Sequence, residues 1–192
     1  MQNTHAKTEK ILSELGVLQL GHFRLTSGKH SDKYMQCAKL FEHPDKSAEL
    51  CRDLAQSFKD QAVDLVIGPA LGGIIMAYEV ARALGVRNIF AERENGKMTL
   101  RRGFAVPEGA RVLAVEDVVT TGGSVREVLE LLRMRGAELV GVGAVVDRSS
   151  GKADFGVPFH PLMTMEVRAW EEKDCPLCKE GKPILKPGSR SV

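Results

Sequence analysis

From Val63 to Asp147 the chain alternates short, unbroken apolar runs with segments of helical period, and this alternation restricts the fold more than any other feature. "VDLVIG" (63–68), "RNIFAE" (87–92), "ARVLAVED" (110–117) and "AELVGVGAVVD" (137–147) read as strands. "GGIIMAYEVARALG" (72–85) and "GSVREVLELLRMRG" (123–136) read as helices, each stopped by a glycine. Strands apolar on both faces need helices on both sides, which is the situation of a parallel sheet. The expected class is therefore α/β, a central and mostly parallel sheet flanked by helices. Residues 7–15, "KTEKILSEL", add an N-terminal helix, and Pro44 opens another that runs to about Asp60 with Leu50, Leu54 and Phe58 on one face. The 192 residues suit a single domain.

Charge and composition narrow the partners. The net charge is only +2, which offers no broad basic field for nucleic acid or anionic lipid. No apolar run approaches the roughly 20 residues that a bilayer span needs. The start, "MQNTHAKTEK", lacks the apolar centre of a secretory signal, so a cytoplasmic location is expected. Cys37, Cys51, Cys175 and Cys178 are then expected as free thiols.

Only Cys175 and Cys178 form a CxxC, in "CPLCKEG". With no second pair or histidine cluster near it, a turn held by Pro176 is the favoured reading; the alternative is a zinc site completed by a partner subunit. His22, His30, His43 and His160 are scattered without ligand spacing, which suggests packing or surface roles. Met163 and Met165 alternate as in a strand, Trp170 is expected to pack, and the basic tail 178–190 reads as an extended arm.

Ligands of open parallel sheets bind beyond the carboxyl ends of the strands. The apolar strand 112–115 ends in Glu116 and Asp117, and "VVTTGGS" (118–124) leads from it straight into a helix. A helix N-terminus presents unpaired N–H groups and the positive end of a dipole, so it suits a phosphate. Gly122 and Gly123 allow close backbone approach, and Thr120, Thr121 and Ser124 add hydroxyls. No lysine sits where a triphosphate loop needs one, and no GxGxxG follows. Adjacent acids would repel a polyphosphate laid over them but can accept hydrogen bonds from sugar hydroxyls. A ribose carrying a 5′-phosphate meets both demands.

At these residues the sequence resembles the type I phosphoribosyltransferases, whose phosphoribosyl-pyrophosphate (PRPP) signature is an apolar strand, two acids, two apolar residues and a Thr/Gly loop. The resemblance covers about residues 18 to 150 and is nearest to the orotate phosphoribosyltransferases; it implies a core at about 44–154 and a small hood from about 1–43 and 155–192. "FRLTSGKHSDKYM" (23–35) resembles their hood segment and "IGPALGGI" (67–74) their diphosphate loop. "ERENGKMTLRRGF" (92–104) resembles their mobile catalytic lid, and "VVDRSSG" (145–151) the strand-end arginine that meets orotate.

The resemblance implies a pentosyl transfer from PRPP to orotate in pyrimidine (UMP) biosynthesis, with Mg²⁺ as cofactor held mainly by PRPP and water near Glu116 and Asp117. It assigns PRPP binding to Glu116, Asp117, Val118, Val119, Thr120, Thr121, Gly122, Gly123 and Ser124. Backbone N–H groups of Ala70, Leu71 and Gly72 would meet the diphosphate, with a non-proline cis peptide near Ala70–Leu71. Thr120 and Arg148 would meet orotate. Lys97, Arg93 and Asp117 are the implied catalytic residues, with the lid shared across a homodimer.

The chain departs from the family at Thr26, at Leu71 and Gly72, and at Glu94 and Thr99, where its studied members carry cationic or aromatic groups. Arg101, Arg102 or Lys29 are the candidates to replace those charges. A purine-base phosphoribosyltransferase and a PRPP-sensing, nucleic-acid-binding regulator are the alternatives. Arg148 argues against the first, and the near-neutral charge and retained lid cations against the second.

Overall fold

The structure, a computed structural model, describes residues 2–25 and 27–187. The chain folds as α1 (Gln2–Glu14), β1 (Leu18–Arg24), β2 (His30–Met35), a 3₁₀ turn (Cys37–Glu42), α2 (Pro44–Gln56), β3 (Leu65–Pro69), α3 (Gly72–Leu84) and β4 (Arg87–Glu94). It continues as β5 (Lys97–Thr99), β6 (Arg111–Val119), α4 (Gly123–Arg133), β7 (Glu138–Asp147), β8 (Phe159–Thr164), β9 (Ala169–Trp170), a second 3₁₀ turn (Glu172–Asp174) and α5 (Pro176–Lys179).

Six strands form the main sheet in the order β5-β4-β3-β6-β7-β8. From β4 to β8 all neighbours are parallel, and β5 alone turns back antiparallel on β4. Side-chain alternation splits each buried strand between two cores. Val66, Leu113, Val115 and Val145 face the layer of α1, α2 and α3 with Leu12, Leu54, Met76 and Val80. Leu65, Ile67, Val112, Ala114 and Val142 face α4. On α4 the buried Val125, Val128, Leu129 and Leu132 form the i, i+3, i+4, i+7 stripe of a covered helix face, and Leu131 is buried beside them. Each fully buried leucine there contributes about 1.5–3 kcal/mol of apolar transfer.

Three expectations change. The polar stretch after residue 92 does not leave the sheet: β4 runs on to Glu94, and Asn95 (φ 51°) and Gly96 (φ 79°) make a two-residue turn into β5. Asn-Gly with both φ values positive is the turn that matches hairpin twist. Phe159–Thr164, expected in the hood, pairs parallel with β7 and closes the main sheet. Helix α1, also expected in the hood, packs on β8, where the His5 ring donates from Nε2 to the Thr164 carbonyl at 3.0 Å.

The hood itself is a three-stranded antiparallel sheet, β1-β2-β9. Its hairpin pairs Leu18 with Met35 and Arg24 with His30, with an irregularity between Leu20 and Phe23, and Trp170 of β9 lies opposite His30. His160 keeps the packing role expected of it, edge-on to Phe58 at 5.1 Å between ring centroids.

Candidate active site

The carboxyl end of β6 and the first turn of α4 form a pocket of about 200 Å³ lined by Glu116 and residues 118–125. Gly122 is the N-cap of α4, and no side chain caps the helix. A serine or threonine cap would have consumed the free N–H groups, so this N-terminus is left to an anion. Gly122 sits at φ +75°, and a Cβ there would lie 2.8 Å from the Phe155 ring. Both the backbone conformation and the space require glycine. Arg126, which the sequence did not single out, fastens this loop. Its guanidinium donates to the carbonyls of Thr121 and Asp154 and lies over the Phe155 ring at 5.2 Å. The signal available beforehand was an arginine one turn into the helix.

Glu116 and Asp117 lie side by side and half-buried, and both carboxyls are raised above their ordinary values, that of Glu116 to about 9. Loss of water is the main cause for each, and for Glu116 the Asp117 charge adds to it. A cation or a set of hydroxyl donors at the pair offsets that loss and favours the ionised forms. Their oxygens suit a hard ion such as Mg²⁺, held through water or substrate oxygens. Val118 N–H donates to Asp117 Oδ1 at 2.7 Å and fixes that carboxylate at the strand end.

The β3–α3 loop meets the acids directly. A Cβ on Gly72 would lie 2.5 Å from Asp117 Oδ2, so the side chain that other family members carry here has no room unless Asp117 moves. The Ala70–Leu71 peptide is cis. One expected donor is lost, because Ala70 N–H is already bonded to the Ala91 carbonyl at 2.7 Å. The β3–β4 ladder, which pairs Pro69 with Ala91, simply extends one residue. Leu71 and Gly72 remain as candidate donors from this loop.

At the end of β7, Arg148 N–H bonds to the Val119 carbonyl at 2.7 Å, which ties this arginine to the end of β6. Arg148 is half-buried, with Nε sealed from water and without an acceptor among the described residues. Burial lowers its pKa, and no carboxylate offsets that. Asp147, a second residue missed at first, shapes the turn beneath it by accepting from Ser149 N–H at 2.7 Å and Gly151 N–H at 3.0 Å. The pattern Asp-x-Ser-x-Gly was the visible signal for such a turn.

The lid cations divide. Arg93 forms a two-pronged pair with Glu127 of α4, at 2.6 and 2.8 Å. Arg101 pairs with Glu94 at 3.2 Å and Arg102 with Glu92 at 3.2 Å, while Lys29 is held by Glu171 at 3.1 Å. Lys97 is exposed on β5 and has no ion-pair partner among the described residues. Thr26 lies outside the described residues.

The resemblance to known proteins agrees with this geometry. Residues 38–155 match the phosphoribosyl transferase domain family. The chain is 58% identical over 186 residues to the orotate phosphoribosyltransferase of Caldanaerobacter subterraneus, covering 97% of this chain and 98% of that one. It is also 58% identical over 182 residues to the enzyme of the same name from Pelotomaculum thermopropionicum, covering 95% and 96%. Among solved structures, orotate phosphoribosyltransferase from Aeropyrum pernix aligns with a TM-score of 0.66 at 27% identity, over 81% of this chain and 92% of that one. The Mycobacterium tuberculosis enzyme in complex with inorganic phosphate aligns at 0.69 and 26% identity, over 84% and 96%. With an uncapped helix N-terminus, paired acids and a strand-end arginine converging at the carboxyl end of the sheet, the chain belongs to the phosphoribosyltransferase family.

Proposed function

We propose that this protein is an orotate phosphoribosyltransferase, a pentosyltransferase that moves the phosphoribosyl group of PRPP to orotate and releases orotidine 5′-phosphate and diphosphate. One observation carries the choice of base: the half-buried guanidinium of Arg148 at the end of β7, which no carboxylate pairs among the described residues. A carboxylate on the base completes it with charge-assisted hydrogen bonds. Hypoxanthine and adenine bring no carboxylate. The names of the relatives at 58% identity support the same base.

Each part of the site then has a task. The pocket over the α4 N-terminus holds the 5′-phosphate through residues 118–124, and Glu116 and Asp117 accept from the ribose hydroxyls. Thr120, exposed at the rim of that pocket, contacts the base together with Arg148. Leu71 and Gly72 offer N–H groups to the diphosphate. As the C1–O bond to diphosphate breaks and the C1–N bond to orotate forms, positive charge develops on the sugar and negative charge on the leaving group. The acids stabilise the first, and the unpaired Lys97 is the cation available for the second. Arg93 joins it once an anion outcompetes Glu127. Mg²⁺ bound with PRPP would neutralise the diphosphate further.

A homodimer fits the same reading. Leu71, Ile75 and Tyr78 are exposed at 83%, 47% and 56% on one face of α3, beside the diphosphate loop. A second copy on this face would cover them and place its β4–β5 hairpin within reach of the neighbouring site. Among the described residues no helix is long and apolar enough to cross a membrane.

The reading is tested by mixing the protein with PRPP, Mg²⁺ and orotate and following the loss of orotate absorbance, with hypoxanthine and adenine in parallel. Orotate consumption is expected. Turnover of a purine with none of orotate would overturn it.

A further inference from the structure

The C-terminal segment is held to the hood with almost no apolar surface. Among residues 171–187 only Cys175 is buried; Ile184 and Leu185 are exposed at 44% and 56%. Its backbone touches β1 at Leu185, which bonds to His22 and Arg24. A segment this poor in core needs another constraint to hold one conformation.

That constraint is visible in four side chains brought together from positions far apart in the chain. His22 of β1 and His30 of β2 are buried in the hood hairpin, and Cys175 and Cys178 flank the first turn of α5. Their ligand atoms all lie within 4.8 Å of one another. His22 Nε2 is 3.0 Å from His30 Nδ1, 3.5 Å from Cys175 Sγ and 3.7 Å from Cys178 Sγ. Cys178 Sγ is 3.2 Å from His30 Nδ1. A tetrahedral zinc ion with ordinary Zn–N and Zn–S bonds separates such atoms by about 3.3–3.8 Å.

The protonation pattern agrees. His22 Nδ1 is 2.9 Å from the Lys182 carbonyl, which can only accept. The proton is therefore on Nδ1, and the Nε2 lone pair points at both sulfurs, the arrangement in which a backbone carbonyl orients a metal-bound imidazole. His30 Nε2 has no partner, and its Nδ1 meets His22 Nε2 at 3.0 Å. Without a metal one proton lies between these two nitrogens; a cation in its place binds both lone pairs beside the two sulfurs. The histidines that the CxxC lacked in sequence come from the same chain, and no partner subunit is needed.

We infer that His22, His30, Cys175 and Cys178 form a structural binding site for one zinc ion, which staples the C-terminal segment to the hood hairpin. The hairpin strand β2 carries Tyr34 and leads into the 3₁₀ turn at Cys37, and both residues lie near Arg148. The staple thus steadies the wall beside the proposed base site without touching substrate.

The test uses the full chain, purified without chelator under reducing conditions. Elemental analysis should give about one zinc per chain, and exchange for Co²⁺ should give an intense tetrahedral ligand-field spectrum with a thiolate charge-transfer band. Cys178→Ser, at a half-exposed position, should fold, lose most of the zinc and lose that charge-transfer band; Cys51→Ser, remote from the cluster, should keep both. A wild-type protein that takes up no zinc or cobalt after reconstitution overturns the proposal. So does a cobalt spectrum without thiolate character, or one that Cys178→Ser leaves unchanged.

Discussion

The phosphate pocket and the hood cluster are built in opposite ways. Nine consecutive residues, 116–124, carry the acids, the uncapped turn and the hydroxyls of the first. The second draws on His22, His30, Cys175 and Cys178, whose ends are more than 150 positions apart, as the His22–Cys178 contact shows. One site is set by a single strand–turn–helix unit, and local order suffices to form it. The other exists only after β1, β2 and the C-terminal segment have met. Substitutions in the first should alter chemistry and spare the fold, and substitutions in the second should do the reverse.

The largest effect is expected at the lid. Lys97→Ala removes an exposed cation with no structural partner, so the fold should be unaffected while kcat falls on the order of 10²-fold, the usual loss for one electrostatic donor in a transition state. Steady-state kinetics beside a melting curve checks both halves. Arg148→Ala should raise KM for orotate by about 10–100-fold, the worth of a charge-assisted hydrogen bond, with little change in KM for PRPP.

The hood supplies the converse case. Stripping zinc from the wild-type chain, or Cys178→Ser, should lower Tm by several degrees while kcat changes by less than about threefold; a shift of about 4 °C corresponds to roughly 1 kcal/mol or somewhat more in a domain of this size. If metal removal abolished turnover and left Tm unchanged, the two regions would not be separable as described.

A smaller effect separates function from stability within the phosphate pocket. Burial and Asp117 raise the Glu116 carboxyl above its unfolded value, so folding favours the protonated form. That contribution is complete below the ordinary carboxylate range and is lost as pH rises through the raised value. Glu116→Gln should therefore unfold later than wild type above neutral pH, by about 1 kcal/mol or more, while binding PRPP more weakly. Denaturant titration at pH 6 and pH 9 reads the difference, which should widen at the higher pH. Smallest of all, Glu127→Gln should free Arg93 and change KM for PRPP by no more than a few-fold, since exposed ion pairs contribute about 0–1 kcal/mol.

These contrasts follow what the sequence could carry. The sheet was legible because its strands are apolar on both faces and its helices have glycine stops, features written within windows of five to fourteen residues. The β4–β5 hairpin was not, because charged residues at an exposed sheet edge lack the alternation that marks a strand, although Asn95-Gly96 did signal its turn. The acids and the glycine-rich turn were legible at a strand end, and Arg148 through the resemblance of its segment to a family motif. The loss of the Ala70 N–H to Ala91, and the room Gly72 leaves for Asp117, depend on neighbours from other strands. The zinc cluster had the weakest signal of all, since a lone CxxC and two unrelated histidines acquire meaning only in three dimensions.

The central claim is that Arg148 reads a carboxylate on the base. Uracil is orotate without that carboxylate, so the direct measurement is the ratio of kcat/KM for orotate to that for uracil, in the wild type and in Arg148→Ala. The wild type should favour orotate by about 10²-fold or more, and the variant should bring the ratio down by at least tenfold. An unchanged ratio would contradict the assignment.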